Sequence, residues 1–86
     1  MTCRVDRVLI EQSVVLRISG RIASEDLDVL RTALEEGRVV ALDLTEVELA
    51  DRDAVTFLAC SERSSIELRH CPAYIREWVT RERGRS

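Results

Sequence analysis

The 86-residue sequence has no lysine and no asparagine, one proline, three glycines and one histidine. Its only aromatic side chains are Phe57, Tyr74 and Trp78. Each scarcity removes a class of function. Without Asn there is no N-glycosylation site. Three aromatics do not make a platform on which nucleic-acid bases stack. All 13 basic residues are Arg, set against 16 acidic ones for a net charge of −3, and no basic cluster precedes the last few residues. That balance argues against a nucleic-acid partner. No apolar run approaches the roughly 20 residues of a membrane-spanning helix. The opening Met1-Thr2-Cys3-Arg4-Val5-Asp6 lacks the apolar stretch of a signal peptide. Cys3, Cys60 and Cys71 are odd in number and widely spaced, as expected of reduced thiols in a cytoplasmic protein.

Motifs for catalysis and cofactors are also missing. Gly20, Gly37 and Gly84 lie too far apart for a phosphate-cradling loop. No nucleophile-elbow or zinc-ligand spacing occurs. His70 and Cys71 are adjacent, so at a strand end their side chains are expected on opposite faces, with no further ligand nearby. The expectation is a non-enzymatic protein with no cofactor and no metal.

What is present reads as alternating strands and helices. Residues 5–10 and 14–19 are β-rich, and Glu11-Gln12-Ser13 between them suits a hairpin loop. Leu16 and Ile18 fall on one face of the second strand, Arg17 and Ser19 on the other. Ser24 is the expected N-cap of a helix over 24–36, with Glu25 and Asp26 favoured by the helix dipole. Its apolar stripe is Leu27, Leu30, Ala33 and Leu34, and Gly37 is the expected left-handed C-cap. Val39–Leu44 is nearly all apolar, the pattern of a central strand covered on both faces. A loop over 45–50 leads to Asp51 and a second helix with Ala54, Val55, Leu58 and Ala59 on its inner face. Ser64-Ser65 breaks that helix, and Ile66–Arg69 alternates as a short strand. Pro72 suits the first turn of a third helix. Its apolar face is Tyr74, Ile75, Trp78 and Val79, with both aromatics read as core in the first place and as partner anchors if the third helix is used for binding. Residues 81–86 form a charged, frayed tail. The fold class is therefore α/β: a small mixed four-stranded sheet, an N-terminal hairpin followed by βαβαβα, with helices packed against it. One domain spans 1–86, its core about 5–80. The first strand is an edge strand whose Asp6 and Arg7 discourage edge pairing.

One stretch carries a family likeness. Asp43-Leu44, then Val47, Leu49 and Asp51, then Arg52-Asp53-Ala54-Val55 resemble, without gaps, the pattern of the STAS domain. That is the module of anti-sigma factor antagonists and of sulfate-transporter tails. Its pattern is a buried strand ending in Asp/Asn-Leu, a short loop with apolar positions, and Asp-Ser-Ser-Gly-Leu opening a helix. Val15–Ile22 is similar to the family's second strand with its Gly-containing end, and Ile66–Pro72 to its next strand and helix-opening Pro. The likeness covers about residues 5–80 and implies the same fold.

The departures are informative. In antagonists of this family the second Ser of Asp-Ser-Ser-Gly is phosphorylated by a partner kinase that is also the anti-sigma factor. Here Asp53 stands at that position, after Arg52 and before Ala54, so there is no hydroxyl to phosphorylate. The usual Gly-containing turn after the second helix is reduced to Ser64-Ser65. Asp53 has two readings: first-turn helix electrostatics, or a permanent and incomplete mimic of phosphoserine, with one charge in place of about 1.5–2. Thr56, nearly a turn on, is a poor substitute acceptor. The resemblance implies a partner-binding rim of Glu48, Asp51, Arg52, Asp53 and Thr56. The expected function is a regulatory protein-binding module docking on an anti-sigma/serine-kinase partner. The alternative is a small accessory subunit of a transport complex, such as a lipid-transporting ABC system. Nucleotide or lipid binding is a third reading, and a second copy of the chain is a further candidate partner.

Overall fold

A computed structural model describes residues 3–84. The strands are β1 (Cys3–Ile10), β2 (Ser13–Ile22), β3 (Val39–Ala50) and β4 (Glu67–Arg69). The helices are α1 (Leu27–Glu36), α2 (Arg52–Arg63) and α3 (Ala73–Gly84), and a 3-10 turn, Ser24–Asp26, opens directly into α1. The fold is α/β with one mixed sheet in the order β1-β2-β3-β4. β1 and β2 form an antiparallel hairpin, and β3 and β4 continue parallel to β2.

The core is one-sided. Leu16, Ile18, Leu42, Leu44 and Leu68 project from one face of the sheet into the same buried cluster as Leu27, Leu30, Val55, Leu58, Ile75 and Val79 from the three helices. The alternation of buried Leu16 and Ile18 with outward Arg17 and Ser19 is the period-2 pattern of a strand with one covered face. Val39–Leu44 was expected to be covered on both faces. Ala41 and Leu42 are indeed both fully buried, but the buried apolar side chains of the helices gather on the Leu42 side. Ala41 is small enough to be shielded by its neighbours in the sheet.

Several local expectations are corrected. The hairpin loop is two residues, Glu11 and Gln12, both with positive φ (48° and 70°), because Ser13 pairs with Ile10. This left-handed pair matches the twist of the strands it joins. Residues 45–50 are the second half of β3, not a loop. β2 runs on through Gly20 to Ile22 and supplies their partners, Gly20 to Val47 and Ile22 to Ala50. Register shifts flank Gly20, whose φ of 87° suits a residue without a Cβ. These shifts break the alternation of Val47, Leu49 and Ala50, which is why the segment does not read as a strand.

Gly37 is extended (φ −138°, ψ 171°) and not a left-handed cap. What sits close to it is the guanidinium of Arg7, only 2.5 Å from where a Cβ would lie. Ser24 is not the cap either: the carboxylate of buried Asp26 accepts from the Ala23 amide at 3.0 Å. Pro72 lies just before α3, where its carbonyl accepts the first helical bond, from Arg76 N–H at 2.9 Å. Residues 81–84 continue α3 rather than fraying, since Glu62 of α2 holds Arg83 at 2.9 Å and Arg76 at 3.0 Å. Residues 85–86 of the expected tail lie outside the described residues. Among the described residues, no helix is long and apolar enough to cross a membrane.

Candidate functional site

The end of β3 and the start of α2 meet at Asp51. Its backbone is extended (φ −80°, ψ 179°), the conformation of a helix N-cap. One carboxylate oxygen accepts from Ala54 N–H at 2.8 Å, satisfying an amide of the first turn. The other accepts from Ser24 N–H at 2.9 Å, and the Asp51 amide donates to Ile22 O at 3.1 Å. One side chain thus caps α2 and ties it to the turn that opens α1. The register of Asp51 as first helical neighbour is legible in the sequence; the bond to Ser24, 27 residues away, is not.

From this joint the rim residues spread over the surface. Glu48, Asp51, Arg52, Asp53 and Thr56 are all exposed. Asp53 lies in the first turn of α2, where negative charge is favoured by the unpaired amides. Thr56 donates its hydroxyl to Arg52 O at 3.1 Å, so that hydroxyl is engaged with its own helix. Asp53 and Thr56 share a groove of about 430 Å³ with Phe57 and Cys60. Ser24, Leu27 and Arg31 form the opposite wall. Glu48 and Arg52 stand outside it. The α1 wall is not announced by the sequence, although the spacing of 24, 27 and 31 marks one helix face and that of 53, 56, 57 and 60 another. Nothing in the sequence says that these two faces confront each other.

The structure overturns one expectation about α3. Tyr74 and Trp78 are 50% and 37% exposed, while Ile75 and Val79 are fully buried. Burying Ile75 and Val79 uses the inward stripe of α3, and residues 74 and 78 fall on its flank. The Tyr74 hydroxyl donates to the carbonyl of Glu48, which sets the aromatic pair beside the acidic rim. Tyr74, Glu77, Trp78 and Arg81 enclose a second, shallow depression.

The thiols are differentiated. Cys60 is exposed in the groove, Cys71 half-buried and Cys3 buried. Burial pushes the Cys71 thiol up, the nearby Arg76 notwithstanding. The Cys3 thiol is raised by burial, by the negative charge of Asp26 and by a hydrogen bond to it. His70, at φ 55°, ends β4 in a bend. Among the described residues no group of three His, Cys, Asp or Glu side chains is arranged to hold a metal ion.

Comparison with known proteins returns no matching family model and no matching curated protein.

Proposed function

We propose that the chain is a non-enzymatic protein-binding module of the STAS kind, docking on an anti-sigma or serine-kinase type of partner. The docking surface is the end of β3, the first turn of α2 and the flank of α3. The observation that carries this is the exposed, mainly acidic rim of Glu48, Asp51, Arg52, Asp53 and Thr56, built on the Asp51 cap beside the half-exposed pair Tyr74 and Trp78. Tyr and Trp are favoured anchors of protein interfaces, and an acidic rim suits a partner presenting Arg or Lys. With Asp at position 53, binding is not switched off by phosphorylation there. Affinity capture with a kinase of the anti-sigma type, comparing the native chain with Asp53→Arg and Trp78→Ala, tests the reading. Binding by the native chain, weakened about tenfold or more in each variant, supports it. Absence of a complex with both the native chain and Asp53→Ser refutes it.

A second reading is favoured by the lack of a hydroxyl at position 53, with the hydroxyl of Thr56, nearly a turn on, engaged with Arg52 O. On it, the same surface holds the chain permanently as an accessory subunit of a transport complex. Co-purification from native membranes with transporter subunits, in place of a kinase, distinguishes the two.

A further inference from the structure

The sheet face turned away from the helices carries a charge pattern that is complementary to itself. Asp6 pairs with Arg17, Arg17 with Asp43, and Asp43 with Arg69, so one row crosses all four strands with alternating sign. Arg17 and Asp43 are 3.8 Å apart, Arg17 half-exposed and Asp43 16% exposed, while Asp6 also pairs with Arg4 and Arg69 with Glu67, each at 3.3 Å. The next row is Val8, Val15 and Ala41, ending in Glu67. Beyond it Ile10, on the same side as Val8, is 46% exposed. The buried apolar side chains of all three helices belong to the opposite face.

We propose that this open face is a self-docking surface, pairing two copies of the chain about a two-fold axis parallel to the strands. The axis follows from the charges. Rotation about it turns face onto face, keeps each row at its own height and reverses the order of the strands. Asp6 then meets Arg69 of the second copy and Arg17 meets its Asp43, each pair occurring twice. In the next row Val15 lies over Ala41, both already shielded within one copy, and Val8 lies over Glu67, so the charged row carries the pairing. The other in-plane axis, across the strands, stacks Asp on Asp and Arg on Arg when the charged rows coincide, which is repulsive. An acidic protein or a nucleic acid would meet alternating sign, which favours neither. Four strands at about 4.8 Å and a length of about 27 Å give a face of roughly 500 Å² per copy, the size of a weak, reversible contact. The contact leaves the Asp51 cap and its groove uncovered, so it does not depend on the function proposed above.

Sedimentation velocity of the full chain, from about 10 to about 500 µM, tests the pairing. The native chain is expected as a monomer–dimer equilibrium. Its dissociation constant should rise severalfold between low salt and half-molar NaCl, because the contacts are ion pairs that water still partly reaches. Arg17→Asp and Asp43→Arg each turn two attractions across the interface into repulsions and should weaken the dimer about tenfold or more. Mixed in equal amounts, the two variants restore every opposite-sign pair and should dimerise again as a heterodimer. A native chain that stays monomeric throughout, a dimer indifferent to salt, a dimer unchanged in both variants, or folded variants whose mixture stays monomeric would each overturn the proposal. The salt dependence needs no variant and decides the matter if either substitution unfolds the chain.

Discussion

Replacing Asp51 by Ala removes two hydrogen bonds that serve two elements at once. The first is the N-cap of α2, 2.8 Å to Ala54 N–H, and loss of such a cap costs about 0.5–2 kcal/mol. The second is the 2.9 Å bond to Ser24 N–H, which joins α2 to the turn before α1. Its loss adds about 1 kcal/mol, below the usual range for a bond to a charged acceptor because water reaches the site. The sum is about 2 kcal/mol, or roughly 10 °C in melting temperature for a domain this small. Asp51→Asn separates the two bonds. Its one carbonyl oxygen can cap Ala54, but its NH2 then faces the Ser24 amide, donor against donor. We expect Asn to lose about half of what Ala loses. The assay is urea unfolding followed by far-UV circular dichroism, with the slope unchanged to show that the unfolded state is the same. If Asp51→Ala falls within about 0.5 kcal/mol of the native chain, neither bond contributes as the geometry implies, and the idea that this residue couples the two helices fails.

Four further outcomes follow from the geometry. Ser65, at φ 69°, occupies the left-handed position of a helix-ending motif, with Ser65 N–H on Glu62 O and Ile66 N–H on Ser61 O. Ser65→Gly should therefore stabilise by about 0.5–1 kcal/mol in the same urea assay, because only glycine adopts that conformation without strain. Leu58 is fully buried in the core, and Leu58→Ala should cost about 2–5 kcal/mol, measured by the unfolding midpoint. Burial tends to raise the Asp43 carboxyl, but hydrogen bonds from the Thr45 hydroxyl and amide, with His70 and Arg17 nearby, hold it below its ordinary 3.8. A folded-state value below the unfolded one means that Asp43 stabilises at neutral pH and loses this as pH falls through and below the ordinary value. Asp43→Asn should thus flatten the acid side of the stability–pH curve below about pH 4. Thiol titration with an aromatic disulfide should modify Cys60 first, Cys71 later and Cys3 last. Fast labelling of Cys3 would contradict its burial.

Where the sequence is legible, a local rule and the global packing agree. α2 is bounded correctly because Asp51 caps it and Ser64-Ser65 ends it, both short-range signals, and its four inward residues repeat at helical spacing. The strand at 39–44 is equally clear from its continuous apolar run. The rest depends on partners distant in the chain. Residues 45–50 are a strand because β2 overruns Gly20 to meet them, and the register shifts there erase the alternation that would announce it. Gly37 ends α1 without the left-handed backbone its identity suggests. Tyr74 and Trp78 share a helical spacing with Ile75 and Val79, and spacing alone does not say which two of four apolar residues a narrow α3–core contact buries. For the site, the Asp51 register and the exposed rim are readable from 43–56, whereas the facing wall of Ser24, Leu27 and Arg31 belongs to tertiary structure.

The same distinction bears on what position 53 does. A phosphoserine there would add charge and acceptors where α2 presents its first amides, and its removal would subtract them. Asp53 supplies one fixed charge, and Asp51 already caps Ala54 N–H. The charge at position 53 is therefore fixed by the sequence and does not vary with phosphorylation there. The self-association proposed above would offer one means of tuning. If both the helix-side rim and the sheet face bind as proposed, a dimer presents two rims at the same end, one on each outer helix layer. Its avidity for a clustered partner then rises with chain concentration, with no covalent switch needed.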